Sequence, residues 1–330
     1  DAVGEAVEKF FTYNSSVGPL RGHGLCPEEI ADRIQNDVEV VGISNLFLHE
    51  WEILRDLVKC IKRKHPNVTI VLGGENPTGW WDYMMENCDE IDFCVLGEGE
   101  ESFCHLLKVL GGEGVLSQVG SLAYRQGQSI VRTPARSRIV EIDKLPKPAW
   151  DLFPIHAYLE HNLSSGVDRG RSLPILSSRG CPYRCKFCSS PQMWTTKYIA
   201  RDPKIVVDEI ENYINEYQVT NINFNDLTAI LTKQWIVEFC NIIIERDLKF
   251  TFQLPSGTRS EAIDEEAAEY LFRAGCRNFC YAPESGSKKV LKNVNKRAKL
   301  DQIIKSLRGA VKVGMATQAN IVIGFPNENF

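Results

Sequence analysis

Apolar runs that stop on glycine and lead into amphipathic stretches constrain this chain more than any other feature. Val38 to Ser44 (VEVVGIS) is such a run, continuous as a strand covered on both faces should be. Glu50 to Lys64 follows, with Trp51, Leu54, Leu57, Val58 and Ile61 spaced along one helix face. Val68 to Leu72 (VTIVL) then stops at Gly73-Gly74, and Phe93 to Leu96 stops at Gly97-Glu98-Gly99. Strand, glycine turn, helix, strand predicts a parallel sheet covered by helices, an α/β fold that binds ligands at the carboxyl ends of its strands.

Beyond this region the pattern changes twice. Gly120 to Ile142 carries the short alternating segments SLAYR, SIVRT and RIVEI around Gly127, which predict a β-hairpin extension. Leu145 to Pro154 (LPKPAWDLFP) is proline-rich and reads as a linker. After Arg171 the alternation restarts, with strands expected at Leu173–Ser177, Asn221–Asn225, Lys249–Gln253, Asn278–Tyr281 and Thr317–Ile323. Helices are expected at 203–217, 232–246, 264–274 and 299–313, and Asp202-Pro203 supplies a cap residue and a proline at a first helical position. Such steps predict a (β/α) barrel with its active site at the strands' C-terminal ends. A closed barrel needs more strands, so the pattern predicts a partial one that ends early, at Phe330. The expected organisation is a Rossmann-like domain with its hairpin over 1–144, a linker over 145–172 and the barrel over 173–330, and 330 residues is a length that favours two cores over one.

Apolar content of 43% and charged content of 25% are those of a globular protein. No apolar run reaches the roughly 18 residues of a membrane span. The first residues, Asp1-Ala2-Val3-Gly4-Glu5, lack the basic start and apolar stretch of a signal peptide, which makes the cytoplasm the expected compartment. Net charge is −5 with acids and bases interleaved, which argues against a nucleic-acid partner. Most of the eleven cysteines lie in apolar segments and read as small buried hydrophobes in a reducing compartment.

One group is spaced differently. Arg179-Gly180-Cys181-Pro182-Tyr183-Arg184-Cys185-Lys186-Phe187-Cys188 follows directly on the first strand of the second half. Three thiolates so close in sequence wrap one metal centre only if the loop folds over on itself, and Gly180 and Pro182 suit that turn. Three cysteines do not fill a tetrahedral zinc site, and no His or Cys at fingerlike spacing supplies a fourth ligand. A 4Fe–4S cluster held by Cys181, Cys185 and Cys188 would leave one iron open to a small molecule. The plainer alternative is a chance group of half-buried cysteines.

CxxxCxxC with an aromatic before its last cysteine resembles the radical S-adenosylmethionine (SAM) family, whose barrel matches the second half. The resemblance puts Phe187 near the SAM adenine. Pro283-Glu284-Ser285-Gly286-Ser287 resembles the family's E-S-G-S segment, where Glu284 and Ser285 would face the ribose and methionyl end. Ile323-Gly324-Phe325-Pro326 resembles the glycine turn beside the adenine, which marks Gly324, and Asn225-Asp226 matches the polar pair at the end of the second strand, which marks Asp226. Read locally, Ser-Gly-Ser is also an ordinary turn and Asp226 an ordinary cap. Ala282-Pro283 departs from the family, which more often has a glycine and a small apolar residue there.

The glycine turns of the first half, with the tail from Leu145 to Leu152, resemble the cobalamin-binding domain that precedes the barrel in cobalamin-dependent radical SAM enzymes. Ser44 and Leu46 fall on the family's Ser-x-Leu position, Gly73 and Gly74 on its paired glycines, and Gly97 and Glu98 on the next turn. Small residues there let a nucleotide tail lie against the backbone. From its residues alone this half is equally an ordinary nucleotide-binding-like sheet or one that has lost its ligand. No Asp-x-His-x-x-Gly is present to ligate cobalt from below, the family's usual first strand is not evident before Gly22, and neither His23 nor His49 is taken as a ligand. Trp80, Trp81, Trp194 and Tyr198 are candidate pocket aromatics, although core packing or a surface role accounts for each more readily.

The resemblance implies an enzyme in which a 4Fe–4S cluster, SAM and cobalamin carry the chemistry. An electron from an external flavodoxin- or ferredoxin-like donor would cleave SAM to a 5′-deoxyadenosyl radical, and a methyl group would pass from methylcobalamin to an unactivated carbon or phosphorus of a small molecule or peptide. A radical cyclase or rearrangement enzyme with the same cofactors is the alternative, and a cobalamin-binding module with a structural cluster is a third.

Overall fold

The structure, a computed structural model, describes residues 1–229, 232–258, 263–326 and 328; Phe330, the expected end of the barrel, lies outside them. The chain forms two compact units, residues 1–140 with 192–194 and residues 141–191 with 195–330.

The first unit opens with a hairpin that the apolar pattern does not announce. Its strands β1 (Phe10–Ser15) and β2 (Gly18–His23) pair antiparallel as a sheet of their own, followed by α1 (Pro27–Arg33). The expected alternation then appears as β3 (Val40–Ser44), α2 (Trp51–Lys64), β4 (Thr69–Gly73), α3 (Glu75–Glu86), β5 (Phe93–Val95) and α4 (Gly99–Leu110). Strands β3, β4 and β5 are parallel neighbours. Ile70, Leu72 and Cys94 pack with Ala31, Leu54, Val58, Ile61, Met84 and Met85 of α1 to α3. Val71, Phe93 and Val95 pack with Leu106 of α4 in a second cluster. Burial on both faces is why β4 and β5 carry no polar alternation, whereas β3, at the edge of the sheet, is only partly covered.

The hairpin extension forms as β6 (Leu122–Gln126) and β7 (Ser129–Arg132), with β6 antiparallel to β5. The segment RIVEI, residues 138–142, does not join it. The Arg138 guanidinium and the Ile139 N–H both donate to Glu98 Oε2, at 2.7 and 2.9 Å, so that stretch is tied to a carboxylate and not to a neighbouring strand.

In the second unit α5 (Ile155–Glu160) leads to β8 (Ser172–Ile175). The short β9 (Ser178–Arg179) and β10 (Ile199–Ala200) pair antiparallel, and α6 (Ser190–Trp194) lies between them in sequence. Then come α7 (Pro203–Tyr217), β11 (Asn221–Phe224), α8 (Lys233–Glu245), β12 (Thr251–Thr258), α9 (Glu265–Arg273), β13 (Cys276–Glu284), α10 (Lys288–Asn293), α11 (Leu300–Lys312) and β14 (Ala316–Ile321). Strands β8, β11, β12, β13 and β14 are parallel, each beside its predecessor, in the order of a (β/α) barrel wall. Asp202 caps α7 as expected, its carboxylate accepting from the N–H groups of Lys204 and Ile205. Strand β13 runs through Ala282-Pro283 to Glu284, and its register with β14 shifts there, a bulge that accommodates a residue without an N–H. Among the described residues no helix is long and apolar enough to cross a membrane.

The two faces of this wall differ. Leu173, Ile175, Ile222, Phe224, Phe252, Leu254, Phe279 and Tyr281 form one core with α7, α8, α9 and α11. The alternate residues Asn221, Asn223 and Gln253 are buried as well, and bond one another and the segment before β8. Gln253 Nε2 donates to Asn223 Oδ1 at 2.7 Å and to Val167 O at 2.8 Å, and Val167 N donates back to Gln253 Oε1 at 3.1 Å. Asn223 Nδ2 donates to Ser165 O at 2.6 Å. Gln253→Ala removes one of the two donors to Asn223 Oδ1, which keeps its bond from Asn221 Nδ2, and frees both backbone groups of the half-exposed Val167, and is expected to lower unfolding free energy by roughly 1–2 kcal/mol in urea titrations. A loss under about 1 kcal/mol would show that water replaces the glutamine there.

Candidate functional site

The cysteine loop begins where β8 and β9 end. Gly180 has φ +86°, a left-handed conformation that lets the chain turn directly into Cys181. Cys181 and Cys185 are half-buried and Cys188 is exposed. The stretch from 180 to 189 has no helix or strand, so other elements fix its path.

At its start the fastening is Asp226, at the end of β11. Asp226 Oδ2 accepts from the Ser177 N–H at 3.1 Å, and Oδ1 accepts from the hydroxyls of Ser177 at 3.0 Å and Ser178 at 2.5 Å. Thr228, buried two residues on, has its hydroxyl 3.5 Å from Cys181 Sγ. At the other end the loop rests on the segment after α10. The Lys186 N–H donates to Val294 O at 2.9 Å, and Asn295 Nδ2 donates to Arg184 O at 2.7 Å. Cys188 Sγ lies 3.2 Å from Ser190 Oγ.

Four of the SAM-contact residues expected from the sequence gather around this loop. Phe187 packs against Phe325, ring centroids 5.5 Å apart, directly after Gly324 at φ +98°. Glu284 ends β13 at φ +64° and receives Lys296 Nζ at 2.9 Å. Ser285 is buried and its hydroxyl accepts from the Ser287 N–H at 3.1 Å, so the Ser-Gly-Ser stretch is a turn, and Ser287 caps α10. Asp226 is the exception. It is 3% exposed with both oxygens occupied by the serines, so it holds the loop in place and offers no open edge to a cofactor. Tyr198 is likewise engaged, its hydroxyl donating to Ala229 O at 3.3 Å while burial pushes its pKa up to about 12.

In the first unit the carboxyl edge of the sheet carries Ser44, Gly73 and Gly97 at the ends of β3, β4 and β5. Gly74 has φ +106°, and a Cβ there would lie 2.5 Å from Asn45 O, so only glycine fits. A Cβ on Gly73 would meet nothing closer than 4.0 Å, which leaves that edge open to a ligand. Beside it Leu46, Phe47 and Leu48 are each more than half exposed. Asn45 and Asn76, both buried, hold this loop through a 2.6 Å amide bond. Glu98 departs from the expectation, because its Oε2 accepts from both the Arg138 guanidinium and the Ile139 N–H. His23 stacks on Phe10 and bonds Val7 O at 2.6 Å.

The donor chemistry fits the groups that the sequence implies. Among the described residues no three His, Cys, Asp or Glu side chains converge as they would on a single ion. A four-iron cluster takes one thiolate per iron, so its ligands stand apart on a loop such as this one. The open glycine edge beside uncovered leucines and a phenylalanine suits a large, partly apolar cofactor with a nucleotide tail. Reasoning from sequence missed Ser177, Ser178, Thr228, Asn295 and Lys296, none of which belongs to a contiguous motif.

The family model of the Radical SAM superfamily matches residues 175–330, and that of the B12 binding domain matches residues 16–107. The chain thus carries a B12-binding domain followed by a radical SAM domain. An uncharacterized methyltransferase of Pyrococcus horikoshii is 28% identical over 292 residues, which cover 88% of this chain and 61% of that one. The anaerobic magnesium-protoporphyrin IX monomethyl ester cyclase of Cereibacter sphaeroides is 29% identical over 306 residues, 91% of this chain and 49% of that one. This chain therefore spans about half to three-fifths of these relatives' lengths. Among solved structures, the radical SAM methyltransferase TsrM of Kitasatospora setae superposes with a TM-score of 0.71 at 19% identity, over 92% of this chain and 59% of that one. The cobalamin-dependent radical enzyme OxsB superposes at 0.72 and 19%, over 90% of this chain and 42% of that one. Both likenesses establish the fold of this radical SAM chain.

Asp226 gives the site a pH signature. Burial pushes its carboxyl up to about 6, against hydrogen bonds from Ser178 and Ser177 that hold it down. Its folded pKa lies above the unfolded one, so its contribution to stability is complete below about pH 4 and is lost as pH rises through about 6. Asp226→Asn keeps the serine contacts by turning its amide nitrogen to the two hydroxyls. Relative to the parent, the variant is expected to gain on the order of 3 kcal/mol between pH 4 and pH 7, read from urea titrations at both. A difference that stays flat with pH would refute the assignment.

Proposed function

We propose that this chain transfers a methyl group from methylcobalamin to an unactivated carbon, or a phosphorus, of a small molecule or peptide, as a cobalamin-dependent radical SAM methyltransferase. One observation carries the reading: three cysteines on a loop at the C-terminal ends of a barrel wall, with Phe187, Glu284, Ser285 and Gly324 around them. Cys181, Cys185 and Cys188 would hold a 4Fe–4S cluster, and the four surrounding residues would hold SAM. Ser44, Leu46, Gly73, Gly74 and Gly97 would hold cobalamin at the edge of the first sheet. Bound there, the three cofactors supply one-electron cleavage of SAM and a transferable methyl group.

The chain's own residues bind and orient. Gly73 leaves room along the sheet edge, Leu46 and its neighbours cover an apolar face, and Phe187 with Phe325 forms an apolar wall beside the cysteines. An external flavodoxin- or ferredoxin-like protein would deliver the electron. Support for methyl transfer comes from relatives named as methyltransferases, among them the cytidylyl-2-hydroxyethylphosphonate methyltransferase of Streptomyces wedmorensis, 25% identical over 332 residues, 92% of this chain and 61% of that one. The cyclase of Cereibacter sphaeroides favours a second reading, radical cyclisation with the same cofactors.

After anaerobic reconstitution with iron, sulfide and hydroxocobalamin, the purified chain is expected to retain both iron and cobalt. With SAM, a reductant and an accepted substrate it should release 5′-deoxyadenosine and S-adenosylhomocysteine together, and Cys185→Ala should lose iron and both products. Release of 5′-deoxyadenosine alone would favour the cyclase. Retention of iron and cobalt with release of neither product would leave a binding module with a structural cluster, full activity in Cys185→Ala would overturn the role of the cysteine loop, and failure to retain cobalt would sink the proposal.

A further inference from the structure

The sequence motifs explain Glu284 but not Lys296, twelve residues later, whose ammonium lies 2.9 Å from Glu284 Oε1. Both side chains are largely covered, 10% and 13% exposed, so this is not a solvated surface pair. The same ammonium lies 6.0 Å from the Phe187 ring centroid, on the side chain just before Cys188. The backbone beside it is fixed to the cysteine loop, through Val294 to Lys186 and Asn295 to Arg184. Asn295 has φ +55°, which turns the chain sharply after α10 and brings Lys296 back under Glu284.

From this we infer that Lys296 is a positioning residue for SAM, holding the Glu284 carboxylate in a set place against the cysteine loop. The inference rests on the functional reading above. Glu284 sits in left-handed backbone at the end of a strand, where, among the described residues, Lys296 Nζ is the group that bonds its carboxylate. Lys296 fixes the direction of that carboxylate, and its seat beside Phe187 ties it to the loop's own position. A methionine in its place would keep most of the packing volume and remove the charge.

The test uses the full chain, reconstituted anaerobically with iron and sulfide, as parent, Lys296→Met, Lys296→Arg, Glu284→Gln and the Lys296→Met/Glu284→Gln pair. Bound iron, SAM affinity by equilibrium dialysis, and the electron paramagnetic resonance spectrum of the reduced cluster with and without SAM are measured. Lys296→Met should keep its iron yet bind SAM about tenfold more weakly and lose the SAM-induced spectral change, while Lys296→Arg restores both. In the Glu284→Gln background the methionine substitution should cost less than about twofold, because the carboxylate it acts through is gone. Equal losses in both backgrounds, or an unchanged affinity in Lys296→Met, would overturn the positioning role. A parent chain that holds iron but shows no SAM-dependent change would instead overturn the functional reading on which it rests.

Discussion

The chemistry of this chain depends on a loop that cannot hold its own shape. From Gly180 to Ser189 the backbone forms no helix or strand, yet the three cysteines there would have to present sulfur in a fixed arrangement to hold the proposed cluster. A loop without its own hydrogen-bond ladder pays the full entropy of ordering unless neighbours supply bonds. Here they come from two sides. Asp226 and Thr228 hold its start through Ser177, Ser178 and Cys181, and Val294 and Asn295 hold its middle through Lys186 and Arg184. Helices α7, α8, α9 and α11 serve this end indirectly, by fixing the strands from which those residues project.

The wall also explains why its concave face is polar. Asn221, Asn223 and Gln253 alternate with apolar residues along β11 and β12, and buried amides are tolerated only when every donor and acceptor is matched. The segment from Ser165 to Arg169 supplies those matches, with Ser165 and Val167 bonding the amides and Arg169 bonding Asn278. That segment thus covers the polar face of the wall while staying exposed itself, although its sequence reads as a connection.

Elements with one strong period were legible in the sequence. The strands of the first sheet, the hairpin around Gly127 and helices α7, α8, α9 and α11 all follow from apolar spacing, glycine stops and caps. The cysteines, Phe187, Glu284 and Gly324 were legible because each lies in a short contiguous pattern. Lys296 and Asn295 were not, because their partners are twelve and 111 residues away and no local pattern encodes such a pairing. Asp226 and Glu98 were assigned to cofactors for the converse reason. Their positions at strand ends suggested an open site, whereas the serines and Arg138 that occupy their carboxylates come from other parts of the chain. The strand expected over RIVEI failed in the same way, since alternation alone does not say whether a neighbouring strand is there to pair with.

Charge around the loop bears on why Lys296 and Glu284 are placed together. A covered ion pair roughly breaks even against apolar residues of similar shape, so stability alone does not account for it. Glu284 adds a backbone cost of about 1–3 kcal/mol through its left-handed conformation, so that position is doubly unfavourable for folding. Its surroundings are already basic in sequence, with Arg179, Arg184 and Lys186 interleaved among the cysteines, as suits a centre whose thiolates bring negative charge. Lys296 satisfies the Glu284 carboxylate locally, at the end of β13. Strain and charge burial at a single residue then have one explanation, the fixed direction of the Glu284 carboxylate.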